Sequence, residues 1–209
     1  MDIHAPMEPI HSWRDIALHL GIITVGLLIA LSLEGLVEHI HHRHLVAEAR
    51  ANIRQELEDN LQAAQKDLGL VQTNIETMQE NIDAIHQLAK HPKNFHGSVK
   101  NSMSFDSIED AAWRTARDTG ALSYMPYDEV QRYSDIYMLG TLVNEKAIST
   151  GEQNFRAAAP FKMGYDAENM PPEIYAQTLR DNAATEIDLI TLKQFVQQLD
   201  DQCVAELKR

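Results

Sequence analysis

The chain reads as all-α: an N-terminal transmembrane helix continuing into a long heptad helix, packed in a bundle with a long C-terminal helix and two shorter ones. Three observations predict this. The run from Ile16 to Leu33 holds eighteen residues without a formal charge, and about 20 such residues span a bilayer core as a helix. From Leu57 to Ala89, apolar residues recur at alternating intervals of four and three, which is the coiled-coil period. Strand signals are missing, with no sustained alternation and no Asn-Gly or Asp-Gly hairpin turn.

The elements follow in order. Residues 1–15 form a short polar tail. The membrane helix covers 16–38 and begins after Ser12-Trp13-Arg14-Asp15, a capping-box-like pattern. Trp13 stands where an interfacial aromatic belongs. A cleaved signal peptide is the weaker alternative, because the tail is not basic and no A-x-A-like site follows the apolar run. The remainder, 39–209, is large enough for one domain with its own core.

Within it, a long helix is predicted over 45–90. Its seam pairs Leu61, Leu68, Ile75, Ile82 and Ala89 with Leu57, Ala64, Val71, Met78 and Ile85. His91-Pro92 ends it, since proline disfavours helical geometry in the preceding residue. Residues 93–104 read as a loop. Asp106-Ser107-Ile108-Glu109 looks like a helix cap and predicts a short helix over 107–117, closed by Gly120. Pro126 opens a helix over 126–153, with Asp128 and Glu129 in its first turn. Residues 160–170 read as a second loop. Pro171 and Pro172 open the last helix, over 171–207. The two long helices are similar in length, so the simplest bundle sets them antiparallel. The competing arrangement pairs the seam with copies of itself in a parallel oligomer.

Composition narrows function. The net charge is −13, which argues against a basic face for nucleic acid. The single Cys203 excludes an intrachain disulfide. No Ser/His/Asp order, Cys/His pair, Gly-rich phosphate loop or CxxC motif is present, so no catalytic residue and no cofactor is assigned, and the chain reads as a non-enzyme.

Several groups remain as candidates. Glu34 is an ionisable residue at the edge of the span, a functional hypothesis by default; a single turn would also bring it to the interface. Glu38, His41 and His42 lie in a histidine-rich stretch, and the Glu38/His41 spacing puts both on one face, as in carboxylate-bridged metal bundles. Such a site needs ligands from other helices, and no second Glu-x-x-His exists. The stretch is therefore read as an anchoring collar without metal. Ala17 with Gly21, and Gly26 with Ala30, are small-residue pairs that permit close approach of membrane helices. Trp113, Tyr133 and Tyr137 belong to an aromatic cluster that reads as core packing, or alternatively as a pocket between bundle helices.

The span TVGLLIALSLE, running straight into a charged helix, resembles the start of a group of uncharacterised bacterial single-pass inner-membrane proteins with G-x-L-I-A-L in the span. Trp113-Arg-Thr-Ala-Arg-Asp-Thr-Gly120-Ala-Leu122 is similar to their W…TG-x-L element. The resemblance implies a bacterial inner-membrane protein and brings no activity with it.

The expectation is a membrane-anchored structural or interaction module whose partners are the lipid bilayer and either further copies of itself or a larger membrane complex. The alternative is a ligand-sensing bundle signalling through its span, or a metal or proton-path subunit using Glu34, Glu38 and the histidines. Arg43, Arg50 and Arg54 on the C-terminal flank, against Arg14 alone, place the bundle in the cytoplasm by the positive-inside rule.

Overall fold

A computed structural model describes residues 13–91, 99–165 and 169–209. Among these, every regular element is helical: α1 (Trp13–Lys90), α2 (Ala111–Asp118), a 3₁₀ turn (Ala121–Tyr124), α3 (Tyr127–Lys162) and α4 (Pro172–Leu207). Two compact units divide the chain, Met1–Glu48 and Ala49–Arg209, and α1 contributes to both.

The described part of the first unit is helix alone. Its most apolar window has a mean hydropathy of 2.4, and none of it is buried in protein. This is a helix long and apolar enough to cross a membrane. Its two hydroxyls turn inward on the helix: Thr24 donates to the Leu20 carbonyl at 2.8 Å and Ser32 to the Leu28 carbonyl at 2.7 Å. Neither needs water as a partner, which is what a hydrocarbon surrounding demands.

The second unit is a bundle. Side-chain pairs fix the directions of its helices. Arg54 meets the Leu207 carbonyl, Gln72 meets Lys193, and Gln79 meets Glu186, so α1 and α4 run antiparallel. Lys146–Asp188, Gln153–Asp181 and Arg132–Glu206 make α3 antiparallel to α4. Arg50–Glu129 and Glu56–Tyr137 therefore join α1 to a parallel α3. Two parallel neighbours need a return path between them. Residues 99–110 supply it as an extended strap running back along α1.

The core is formed by Leu57, Val71, Met78 and Ile85 of α1, Leu139 and Val143 of α3, and Leu189, Leu192, Val196 and Leu199 of α4, all buried. Cys203 is buried with them. Burial first, and then Asp200, push its thiol up to about 11, so it packs as a small apolar side chain.

Three boundaries differ from expectation. The Asp106–Glu109 pattern does not cap a helix; its main chain is spent in the strap, and α2 begins later, at Ala111. The 93–104 loop is, over its described part, the start of that strap. Helix α3 runs past residue 153 to Lys162 and includes Pro160. Its burial continues there through Asn154, Ala157, Ala158 and Pro160, and tertiary packing outweighs the missing proline N–H in the last turn. Gly120 closes α2 as expected, at φ +79°, a conformation that costs glycine nothing.

Candidate functional site

Helix α1 buries more than its apolar residues. Ile53, Asn60, Asp67, Asn74, Asn81 and Leu88 are also buried, each seven residues from the next. The buried heptad is this row together with the row of Leu57, Ala64, Val71, Met78 and Ile85. That corrects the predicted seam. Of its other row, Ile75 is buried, Leu61, Leu68 and Ile82 are half-buried and Ala89 is exposed. Those residues lie on the flank that carries Gln72 and Gln79 to α4. The opposite flank of the buried band is mostly polar, and it faces the strap.

The polar row grips the strap by its main chain. Asn81 donates to the Lys100 carbonyl and accepts from the Lys100 N–H, both at 2.8 Å. Asn60 makes the same pair with Glu109, also at 2.8 Å on both sides. The Asp67 carboxylate accepts from the Asp106 N–H at 3.0 Å. From the other side, Asn144 of α3 brackets Ile108, donating to its carbonyl at 2.8 Å and accepting from its N–H at 3.0 Å. A primary amide presents a donor and an acceptor side by side, so it matches the N–H and carbonyl of one residue as a neighbouring antiparallel strand would.

The register has a physical reason. Seven helical residues rise about 10.5 Å, and three extended residues advance about 10 Å. Residues 81, 67 and 60 of α1 accordingly meet 100, 106 and 109 of the strap. The same step places Asn74 opposite Met103. Here the ladder misses a rung, since the buried Asn74 Nδ2 has no hydrogen-bond partner.

One side-chain notch completes the fit. Ile108 is buried against Gly140 of α3, where a Cβ would stand 2.8 Å from the Ile108 Cγ2. Glycine is needed there for close approach.

Beyond the strap, Glu56 supplies the cap that α2 lacks. Asp110 makes no side-chain capping bond. The Glu56 carboxylate instead accepts from the Ala112 N–H at 2.8 Å, the Trp113 N–H at 3.4 Å and the Tyr137 hydroxyl at 2.7 Å. Burial and this carboxylate raise the Tyr137 phenol far above its ordinary range. Trp113 stacks on Tyr137 with ring centroids 5.4 Å apart. Tyr133 is buried beside Glu129, and burial pushes it up to about 12. The structure therefore brings the three predicted aromatics into helix packing on α2 and α3.

Between strap and α3 lies an open groove of about 690 Å³. Met103 and Phe105 line it from the strap, and Ala147, Ile148, Gly151 and Phe155 from α3. Phe155 is 71% exposed and Ile148 66%.

In the first unit, Ala17, Gly21, Gly26 and Ala30 lie on the exposed apolar helix. A Cβ on Gly21 or Gly26 would meet nothing within 4 Å. Glu34 is exposed near its end. Glu38 pairs with His42 at 3.8 Å, one turn on, and His41 is its neighbour at 6.2 Å between ring centroids. Among the described residues no group of three or more His, Cys, Asp or Glu is placed to hold a metal ion.

The heptad of asparagine and aspartate was the signal that sequence reasoning missed. Asn60, Asp67, Asn74 and Asn81 repeat every seven residues, but a search for apolar periodicity passes over them.

No family model, curated protein or solved structure matches the chain.

Proposed function

We propose that this protein is a membrane-anchored, self-associating interaction module of the bacterial inner membrane, with no catalytic activity of its own. One observation carries the reading: a wholly exposed apolar helix belongs to the same chain as a bundle that buries its own core. Exposed apolar surface of that extent needs lipid or other helices to cover it. The chemistry of the bundle points the same way. Its buried polar side chains are chiefly amides and hydroxyls, engaged in holding the main chain of the strap and of their own helices, and such groups set shape and specificity.

The bundle lies on the cytoplasmic side by the arginine bias, and Ala17, Gly21, Gly26 and Ala30 are the residues through which spans approach one another. The test is expression of the full chain in bacteria, with membrane fractionation, crosslinking in the membrane and a reporter active only in the periplasm fused after Arg209. The expected result is an integral membrane protein, crosslinked into a discrete oligomer, with the reporter silent. Recovery in the soluble fraction would overturn the anchor, monomers alone would overturn self-association, and a strong reporter signal would reverse the sidedness.

The second reading, a ligand-sensing bundle, is favoured by the groove between the strap and α3. Its volume of about 690 Å³ falls within the range of small-molecule sites. Saturable binding of an apolar fluorescent probe, lost in Gly151→Phe with the fold intact, supports that alternative.

A further inference from the structure

We propose that the open groove between the strap and α3 takes an extended, uncharged segment of a partner protein, paired to the free main chain of the strap. The inference rests on the interaction-module reading and deepens it by naming the surface and the chemistry of the partner.

The strap's main chain is satisfied only in part. Its bonds to α1 and α3 engage Lys100, Asp106, Ile108 and Glu109. Among the described residues, the N–H and carbonyl groups of Asn101, Ser102, Met103, Ser104, Phe105 and Ser107 make no hydrogen bond. All six residues line the groove. An extended segment with unpaired main-chain groups is a template for a further strand, and pairing to such an edge is a common way to hold a peptide.

The facing wall selects side chains. Phe155 and Ile148 stand exposed on α3. Between them on the same helix lies Gly151, where a Cβ would meet nothing within 4 Å. This wall accepts apolar side chains, which an extended peptide presents to one face at every second residue. Asn154 of α3 is buried and also lines the groove. Its Nδ2 donates to Asn101 Oδ1 at 2.7 Å. The remaining acceptor, Asn154 Oδ1, and the remaining donor, Asn101 Nδ2, have no partner among the described residues and suit one more peptide group.

Charge narrows the occupant. Among the described residues, Asp106 is the one charged side chain that lines the groove, and Lys66 pairs with it at 2.6 Å. A charged side chain entering there would lose water and find no free counter-ion, so the bound segment is uncharged. This chain has none to spare. Uncharged runs at least as long as 101–107 occur at 16–33, 68–75, 119–127 and 136–144, and each is already folded into the helices or the turn between α2 and α3. The occupant is therefore a different protein.

The experiment uses the full chain in mild detergent. It is panned against a displayed library of random peptides, each at least as long as 101–107, with the Gly151→Phe chain as counter-selection. Selected peptides are synthesised and titrated by fluorescence anisotropy. The expected sequences are uncharged and apolar at alternate positions. Binding should weaken at least tenfold for Gly151→Phe and for Phe155→Glu, two changes at open positions that leave the circular dichroism unaltered. N-methylation of alternate peptide residues reads the main chain directly. One register should cost at least tenfold and the register shifted by one residue should cost little, because only every second residue of a strand turns its N–H to a given edge. Hydrogen exchange should slow on binding within residues 101–107.

A library that yields no peptide preferring the wild-type chain to Gly151→Phe overturns the site, and saturable binding of an apolar fluorescent probe alone then assigns the groove to the small-molecule reading. Equal effects of the two N-methyl registers overturn main-chain pairing. Protection elsewhere than in 101–107 overturns the placement. Selected peptides that match a segment of this chain make a second copy the occupant and overturn the foreign partner. Membrane fractionation and crosslinking through the span do not read the groove, so anchoring and self-association can stand while this site fails.

Discussion

The two flanks of α1 solve the same packing problem with opposite chemistry. Toward α4 the helix offers Leu61, Leu68, Ile75 and Ile82, bordered by Gln72 and Gln79 reaching across to Lys193 and Glu186. Toward the strap it offers Asn60, Asp67, Asn74 and Asn81. Helix α4 satisfies its own peptide groups, so apolar contact suffices to hold it. The strap is extended and carries unpaired N–H and carbonyl groups, which must find partners when buried. Helix α1 meets that demand with the side-chain amides of Asn60 and Asn81 and the carboxylate of Asp67. A polar row in a heptad is thus no flaw in the core; its neighbour is irregular main chain.

The largest test of this contrast strikes the row common to both flanks. Met78→Asp places a carboxylate at a fully buried position, at a cost of several kcal/mol. Cooperative melting of the bundle, followed by circular dichroism, is expected to disappear. Leu68→Asp, at a half-buried site, should lower the melting temperature and leave the transition in place. Equal damage from both would erase the distinction between the rows.

Gly140→Ala comes next. The added methyl meets a stiff β-branched side chain at 2.8 Å. Overpacking costs about 1–3 kcal/mol, against a gain of about 1 kcal/mol for alanine over glycine in a helix. A net loss of about 1 kcal/mol by urea denaturation is expected. In an Ile108→Ala background the same change should become stabilising, because the clash is gone.

The polar row should then split by rung. Asn74→Leu removes a buried donor that lacks a partner and is expected to stabilise by about 1 kcal/mol. Asn81→Leu strands both the N–H and the carbonyl of Lys100 and should destabilise by about 2 kcal/mol. Equal effects would mean that the ladder bonds contribute nothing.

Charge gives the smallest effects. Burial raises Asp67, with Asp106 adding to the rise, while the Asp106 N–H and Lys66 pull it down. The folded chain therefore holds this proton more tightly than the unfolded one. Its contribution favours folding at low pH and fades as pH rises through the folded value. Asp67→Asn should raise the melting temperature at pH 7 and change it less at pH 4. Glu129 runs the other way. Its carboxyl is held below the ordinary 4.5, chiefly by the Arg50 guanidinium at 2.7 Å. That stabilisation is present at neutral pH and lost on acidification below 4.5. Arg50→Gln should flatten this acid limb of a melting-temperature profile.

Much of this architecture was legible because helices advertise themselves locally. Pro172, Gly120 and the acidic first turn at Asp128 and Glu129 mark boundaries through backbone chemistry alone. The apolar row from Leu57 to Ile85 shows its period in plain sight. The strap was not legible for the same reason. An extended segment held by distant amides has no local periodicity, and Asp106-Ser107-Ile108-Glu109 imitates a helix cap. Only the partners, some 20 to 50 residues away in sequence, decide where those backbone groups go. The missing cap of α2 is similar, because Glu56 supplies it from another helix.

The three-for-seven register also makes the bundle a ruler with fixed graduations. A single residue inserted into α1 between Asn60 and Asn81 turns the amide row about 100° away from the strap, and no single-residue insertion in the strap restores it. Matched insertions of seven residues in α1 and three in the strap keep every rung aligned on those two elements. Lengths of this fold are therefore quantised, and a natural or designed variant is expected to differ by whole graduations.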